Sequence, residues 1–186
     1  MKTIKNFDEL VAHLAERTER RRVAVVCGRD ESTREAVARA EAAGFVEPIM
    51  VDDDDVDVAA ARAVAMVREG KADVLMKGLL NTDNLLKAVL NKDTGILPKG
   101  RVLTHLTCCQ LPQMDRLLFV TDVAVIPYPT KEQRAEQLRY LINLCRAMGI
   151  EEPRVSLINC SEKVNAKHFP FTVEYQELIA QTRAGE

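Results

Sequence analysis

Tryptophan is absent from this 186-residue chain and aromatic residues make up only 4% of it, so the hydrophobic core has to be built from valine, leucine, isoleucine and alanine. Histidine is scarce too: there are three, none with a paired spacing, and no CxxC occurs, which disfavours a metal site of zinc type. The cysteines Cys27, Cys108, Cys109, Cys145 and Cys160 are odd in number and read as reduced thiols of a cytoplasmic protein, with Cys27, Cys145 and Cys160 among apolar neighbours. A disulfide between adjacent Cys108 and Cys109 would strain the backbone that joins them, so the pair reads as packing. Long hydrophobic runs are missing. The longest near-apolar stretch, 117–126, is interrupted by Thr121 and Asp122 and is far shorter than the ~20 residues of a bilayer span. The opening MKTIKNFDEL has no apolar segment of signal-peptide type, so no membrane partner is expected. No strong charge of one sign is present either: the net charge is -2, which disfavours nucleic acid as a partner. The basic run 17–22 reads as the solvated end of the first helix.

What the chain does have is 47% apolar and 29% charged residues, the balance of a packed globular protein. Phe7, Leu10, Val11 and Leu14 recur at helical spacing behind Asn6, and that helix is expected to run to about Arg20. Residues 23–27 form a short β-branched run that reads as a buried parallel strand. The alternation then repeats: helix 31–43 ending at Gly44, strand 46–51, helix 56–69 ending at Gly70, strand 73–76, helix 82–90. Beyond a loop at 93–100, strands are expected at 101–106, 117–121 and 123–126, a helix capped by Thr130, a strand at 155–159 and a helix at 173–183. The order implies an α/β fold with a mainly parallel sheet, divided into a first lobe at 1–126 and a helix–strand–helix segment at 127–186.

Ligands of open α/β sheets bind at the carboxyl ends of strands, so the residues following each strand carry the functional reading. Gly28 to Ser32 contain one glycine and fit neither GxGxxG nor a P-loop; they read as a turn with a capping Asp or Ser. Asp52 to Asp55 read as a solvated loop whose last acid caps the next helix rather than as a cation site. The segment Lys77 to Thr82 is more pointed. Lys77 stands at a strand end, Gly78 would let backbone approach a ligand, and Asn81 or Thr82 caps a helix whose N-terminus favours anions, with Lys87 further along it. A lysine reaching solvent beside an ordinary helix cap is the competing account. His105, after Thr104, is an acid or base candidate, against the plainer reading of a hydrogen-bonded core histidine. Asp122, beside Thr121 in the strongest apolar run, needs a partner, because burying an unpaired carboxylate costs several kcal/mol. Ser161, Glu162 and Lys163 form a second polar set at an expected strand end.

DVLMKGLLNTDNLLKAVLNKDTGI at 73–96, VLTHL at 102–106, LLFVTDVAVIPYPTKEQRAEQL at 117–138 and CSEKVN at 160–165, taken together, resemble phosphate butyryltransferases and, more distantly, phosphotransacetylases. The resemblance implies a three-layer α/β/α fold of two lobes, like isocitrate and isopropylmalate dehydrogenases, with the active site in the cleft between them. It implies transfer of a short acyl group, butyryl or acetyl, between acyl-CoA and inorganic phosphate, with coenzyme A as substrate, no tightly bound cofactor, no metal, and a homo-oligomer, a dimer or larger. On that basis Lys77, Gly78, Asn81, Lys87, Thr121, Asp122, Ser161, Glu162 and Lys163 are expected to bind substrates, and Thr82, Thr104 or His105 to serve the oxyanion of a tetrahedral intermediate. By the same resemblance Lys87 lies near the place where phosphotransacetylases carry an arginine, so weaker bidentate anion binding is expected there. The family's C-terminal Asp-Gly-Pro segment has no counterpart among the 186 residues, and the second lobe is expected to be incomplete. A catalytically incomplete fragment, acting as a ligand-binding or oligomerisation module, is therefore the alternative function, and a nicotinamide-dependent dehydrogenase of the related fold is disfavoured by the absence of a Gly-rich fingerprint.

Overall fold

The computed structural model describes residues 2–185, which form two compact units: Phe7–Arg101, and residues 2–6 together with 102–185. The lobe boundary expected at 126/127 lies within the second of these.

In the first unit β1 (Arg21–Val26) lies between β2 (Val46–Val51) and β3 (Val74–Lys77), and both pairings are parallel. The helices are α1 (Phe7–Ala15), α2 (Glu31–Ala42), α3 (Val56–Arg68) and α4 (Thr82–Val89). The central strand is apolar on both faces because both are covered. Val23 and Val25 pack with Val37 of α2. Ala24 and Val26, pointing the other way, pack with Ala59, Ala60 and Ala63 of α3 and with Leu80. The two-residue period of a strand thus serves two helical layers at once. Full burial of Val25 and Val26 contributes about 1.5–3 kcal/mol each.

The helix starts follow the acids. The Asp30 side chain caps α2 by accepting from the Thr33 amide at 2.9 Å and from the Ser32 hydroxyl at 2.6 Å, and these bonds, Ser32 first, hold its carboxyl down at about 2. Asp55 caps α3, accepting from the Asp57 amide at 2.9 Å. The rest of the acidic run is matched by arginines: Arg29 lies 3.7 Å from Asp52 and 3.4 Å from Asp54, and Arg62 lies 3.3 Å from Asp53.

The first helix is shorter than its periodicity suggests. It stops at Ala15, and Arg21 and Arg22 open β1 instead of ending a helix. Arg22 grips Asp73 through Nε at 3.1 Å, Nη2 at 2.9 Å and its own amide at 2.9 Å, which lowers the Asp73 carboxyl to about 2. This contact ties the start of β1 to the residue before β3.

The second unit holds an antiparallel pair, β4 (Thr107–Gln110) and β5 (Leu117–Val120), and helices α5 (Lys131–Ala147) and α6 (Phe171–Ala184). Its sheet is therefore not parallel, unlike that of the first unit. Thr130 and Gln133 form a reciprocal capping box at the start of α5. The N-terminal residues attach at the far end of that helix, with the Ile4 amide donating to Met148 O at 3.0 Å and Thr3 Oγ1 to Gly149 O at 2.8 Å. Between α5 and α6 the guanidinium of Arg134 lies 5.7 Å from the Phe171 ring centre and 5.4 Å from that of Tyr175, and it pairs with Glu174 while Lys131 pairs with Glu177.

Three expected strands are absent. Residues 101–106, 123–126 and 155–159 carry no ladder, and Ile158 is 84% exposed. Cys27 and Cys145 are buried as expected, whereas Cys160 is exposed. No helix among the described residues is long and apolar enough to cross a membrane.

Candidate functional site

The carboxyl ends of β1 and β3 adjoin in the first unit, and the chain leaving β3 is laid across the end of β1. The Gly78 amide donates to Val26 O and the Leu79 amide to Cys27 O, both at 2.8 Å. A Cβ on Gly78 would stand 2.5 Å from Cys27 O and 2.8 Å from Val26 O. The close approach of the β1 end therefore requires a glycine at 78, a reason beyond the ligand approach expected for it.

Lys77 folds back on the same loop, its Nζ donating to Leu80 O at 2.9 Å and Gly78 O at 3.3 Å. An ammonium has three hydrogens, so one remains for an anion. Asn81 occupies the N-cap of α4 with extended backbone but without a side-chain cap bond, and both Asn81 and Thr82 are exposed. The first amides of α4 thus open to solvent at a strand end, a geometry suited to anions, with Asp83 in the same turn opposing them. Lys87 lies one turn on. It is 79% exposed, and its Nζ is 3.8 Å from Asp57, which also accepts from Asn84 Nδ2 at 2.8 Å. Lys87 borders a groove of about 300 Å³ between α3 and α4, together with Asp57, Arg68, Asn84, Asn91 and Thr94; Lys77 is not among the residues lining it.

The second unit draws Thr104, His105, Thr121 and Asp122 into one network. Asp122 Oδ2 accepts from the Thr104 hydroxyl at 2.7 Å and from the His105 amide at 3.0 Å. Its Oδ1 accepts from the Ala124 and Val125 amides, both at 2.8 Å. Burial acts to raise this carboxyl, but bonds from Val125, Thr104, Ala124 and His105 outweigh it and hold the group well below the usual carboxylate range. The partner demanded for Asp122 is thus a set of four donors. The Thr121–Asp122 peptide bond is cis.

The same network accounts for two missing strands. The Asp122 carboxylate takes the amides of Ala124 and Val125 into a turn, and it takes the His105 amide away from any ladder. Thr121 Oγ1 donates to His105 O at 2.8 Å, so both backbone groups of His105 are held. The His105 ring meets Thr107 Oγ1 through Nδ1 at 3.1 Å, and Nε2 makes no hydrogen bond among the described residues. Chemically, Nε2 is the group left to exchange a proton or donate to an oxyanion. The Thr104 hydroxyl has a single hydrogen, and Asp122 already holds it.

Ser161, Glu162 and Lys163 sit in a tight turn rather than at a strand end. Asn159 brackets Ser161, accepting its amide at 3.2 Å and donating to its carbonyl at 3.0 Å, and Ser161 Oγ donates to Lys163 O at 3.0 Å. Glu162 and Lys163 are exposed, and among the described residues no hydrogen bond or ion pair joins this turn to the Asp122 network.

Sequence reasoning missed Gln137. It is 5% exposed on α5, and its Nε2 donates to Thr104 Oγ1 at 3.2 Å. The signal was present: Gln137, Leu141 and Cys145 fall on one buried stripe at spacings of four, and a polar residue on that stripe needs a partner.

A family model described as phosphate acetyl/butaryl transferase matches residues 53–177. The chain is 34% identical to a phosphate butyryltransferase of Clostridium acetobutylicum, over 98% of this chain and 67% of that protein. It is also 34% identical to the phosphate butyryltransferase of Clostridium beijerinckii, over 87% of this chain and 60% of the relative. A phosphate acetyltransferase of Rhizobium meliloti is 36% identical over 74% of this chain and 43% of its own length. The chain thus spans about two thirds or less of the length of these curated relatives. Among solved structures, a branched-chain phosphotransacylase from Enterococcus faecalis V583 has a TM-score of 0.71 at 22% identity, covering 86% of this chain and 63% of that one, a likeness of fold.

Proposed function

Since the chain belongs to the phosphate acetyl/butaryl transferase family, we propose that it takes part in moving a short acyl group, butyryl or acetyl, between acyl-CoA and inorganic phosphate. The observation that carries this reading is the 34% identity kept over 98% of the chain with a phosphate butyryltransferase. The physical support is the distribution of donors. Phosphate and acyl-CoA are both anionic and repel each other unless cations draw them in. The free hydrogen of Lys77, the exposed ammonium of Lys87 and the opening amides of α4 near Asn81 and Thr82 supply that attraction. His105 Nε2 supplies a donor for the oxyanion formed when phosphate attacks the thioester carbon, a contribution of ~2.7–4 kcal/mol for a well-placed donor. Thr104, Thr121 and Asp122 hold His105 in place, and Ser161, Glu162 and Lys163 present an exposed polar turn for the substrates. The chemistry asks for no prosthetic group or metal; coenzyme A enters as acyl carrier and leaves as thiol. A lobe arrangement like that of isocitrate and isopropylmalate dehydrogenases, a cytoplasmic location and a homo-oligomer, dimer or larger, belong to the same reading.

The test is thiol release from butyryl-CoA or acetyl-CoA that depends on added phosphate. Coenzyme A binding without phosphate-dependent release favours instead a ligand-binding or oligomerisation module. Where turnover is measured, Lys77→Ala is expected to raise the KM for phosphate or CoA, or to lower kcat, by about tenfold or more, the effect of losing one charge-assisted hydrogen bond of roughly 1.5–3 kcal/mol. Unchanged kinetics would remove Lys77 from the site.

A further inference from the structure

We propose that Gln137 is a positioning residue for His105, acting through the direction of the Thr104 hydroxyl hydrogen; its catalytic consequence, though not its geometry, rests on the acyl-transfer reading. The case is a count of hydrogens. Thr104 Oγ1 has one hydrogen and two lone pairs, and three polar atoms surround it: Asp122 Oδ2 at 2.7 Å, Gln137 Nε2 at 3.2 Å and Thr121 Oγ1 at 3.3 Å. Asp122 is ionised and only accepts, so the shortest contact takes the hydrogen. Gln137 Nε2 only donates, so it fills a lone pair and blocks the hydroxyl from turning toward α5. Thr121 has already given its hydrogen to His105 O at 2.8 Å. With those assignments each hydroxyl hydrogen in the set has one acceptor, and one of the two Gln137 amide hydrogens has one as well. Were the Gln137 amide reversed, its oxygen would compete for the Thr104 hydrogen and leave Asp122 one donor short.

The chain of contacts runs from helix to histidine. Gln137 is 5% exposed on α5, four residues before Leu141 at 7%, so its backbone is fixed by a packed helix. It sets Thr104; Thr104 and the His105 amide share Asp122 Oδ2; Thr121 holds the His105 carbonyl. The His105 main chain is therefore located with reference to α5, although His105 lies in a segment with no regular structure of its own.

Gln137→Glu tests this with a side chain of nearly the same size. A carboxylate there only accepts, so it pulls the Thr104 hydrogen from Asp122 and places a second negative charge across one hydroxyl. The introduced carboxyl loses its charge before Asp122 does and, followed by carbon NMR, is expected to titrate about one pH unit or more above an ordinary glutamate because it faces ionised Asp122 across one hydroxyl, and its ionised form is expected to displace the His105 amide resonance. Gln137→Met, which fills the space without a donor, is expected to move the same His105 resonance less, in a protein that stays folded. In a parent that turns over, Gln137→Glu lowers kcat about tenfold to a hundredfold and leaves the KM for phosphate within about twofold. An introduced carboxyl that titrates as an ordinary glutamate, with the His105 amide resonance unmoved as it does so, overturns the proposal. A parent without phosphate-dependent thiol release removes the acyl-transfer reading but leaves that titration to decide on Gln137. Should the variants fail to fold, the parent alone decides: one Gln137 side-chain amide hydrogen must exchange slowly with solvent, and two that exchange at the free rate overturn the assignment.

Discussion

Asp122→Ala is expected to lower the unfolding free energy of the unit that carries it by roughly 2–4 kcal/mol in a urea titration. Alanine strands the amides of His105, Ala124 and Val125 and frees the Thr104 hydroxyl. Ala124 is exposed and recovers a water, whereas His105 and Val125 are half-buried and lose more, so the figure stays below four full penalties. The pH dependence separates this account from simple loss of packing. The folded carboxyl lies below its unfolded value of about 3.9, so its contribution is complete above that value and fades as the pH falls through the folded one. The gap in stability between parent and Asp122→Ala should accordingly be widest near neutrality and close in acid. A gap independent of pH would show that the carboxylate does not act as a paired charge.

Gly78→Ala is expected to be as damaging in the first unit, by roughly 2–5 kcal/mol. The added methyl would meet Cys27 O at 2.5 Å, Cys27 C at 2.8 Å and Val26 O at 2.8 Å, which are main-chain atoms of the most buried stretch and cannot swing aside. Relief requires lifting the loop and with it the bonds from Gly78 to Val26 and Leu79 to Cys27. Those losses add about 0.5–1.5 kcal/mol each. Gly70→Ala provides the contrast. Gly70 has a φ of +68° and nothing within 4 Å of its would-be Cβ, so only the left-handed backbone costs energy, about 1–2 kcal/mol. Equal losses at the two positions in chemical denaturation would rule out the steric account of Gly78. Because Lys77 holds the carbonyls of Gly78 and Leu80, the same change should also disturb whatever Lys77 binds.

The first hundred residues were legible because their strands are buried on two faces and their helices are cut by glycines and acids. A valine-rich run such as 23–26 has few other uses, and Asp30, Asp55, Gly44 and Gly70 punctuate it where the backbone needs a cap or a left-handed turn. Past residue 100 the same apolar signals mislead. Residues 101–106 and 123–126 have strand composition, but a single carboxylate takes the amides of His105, Ala124 and Val125 out of pairing, and an effect that works across 17 residues is invisible to a local pattern. The run at 155–159 has the right side chains without a neighbouring strand among the described residues. For the site, the need of Asp122 for a partner could be read from burial cost alone. Its four donors could not, and Gln137 could be found only by asking why an amide shares a stripe with Leu141 and Cys145.

The pairing of α5 with α6 has an optical use. The chain contains no tryptophan and three tyrosines, so its intrinsic emission is tyrosine emission. Tyr128 is 92% exposed and reports on solvent, whereas Tyr175 lies under the Arg134 guanidinium and beside Phe171. A change in the emission that vanishes in Tyr175→Phe would follow the separation of these two helices without any attached dye.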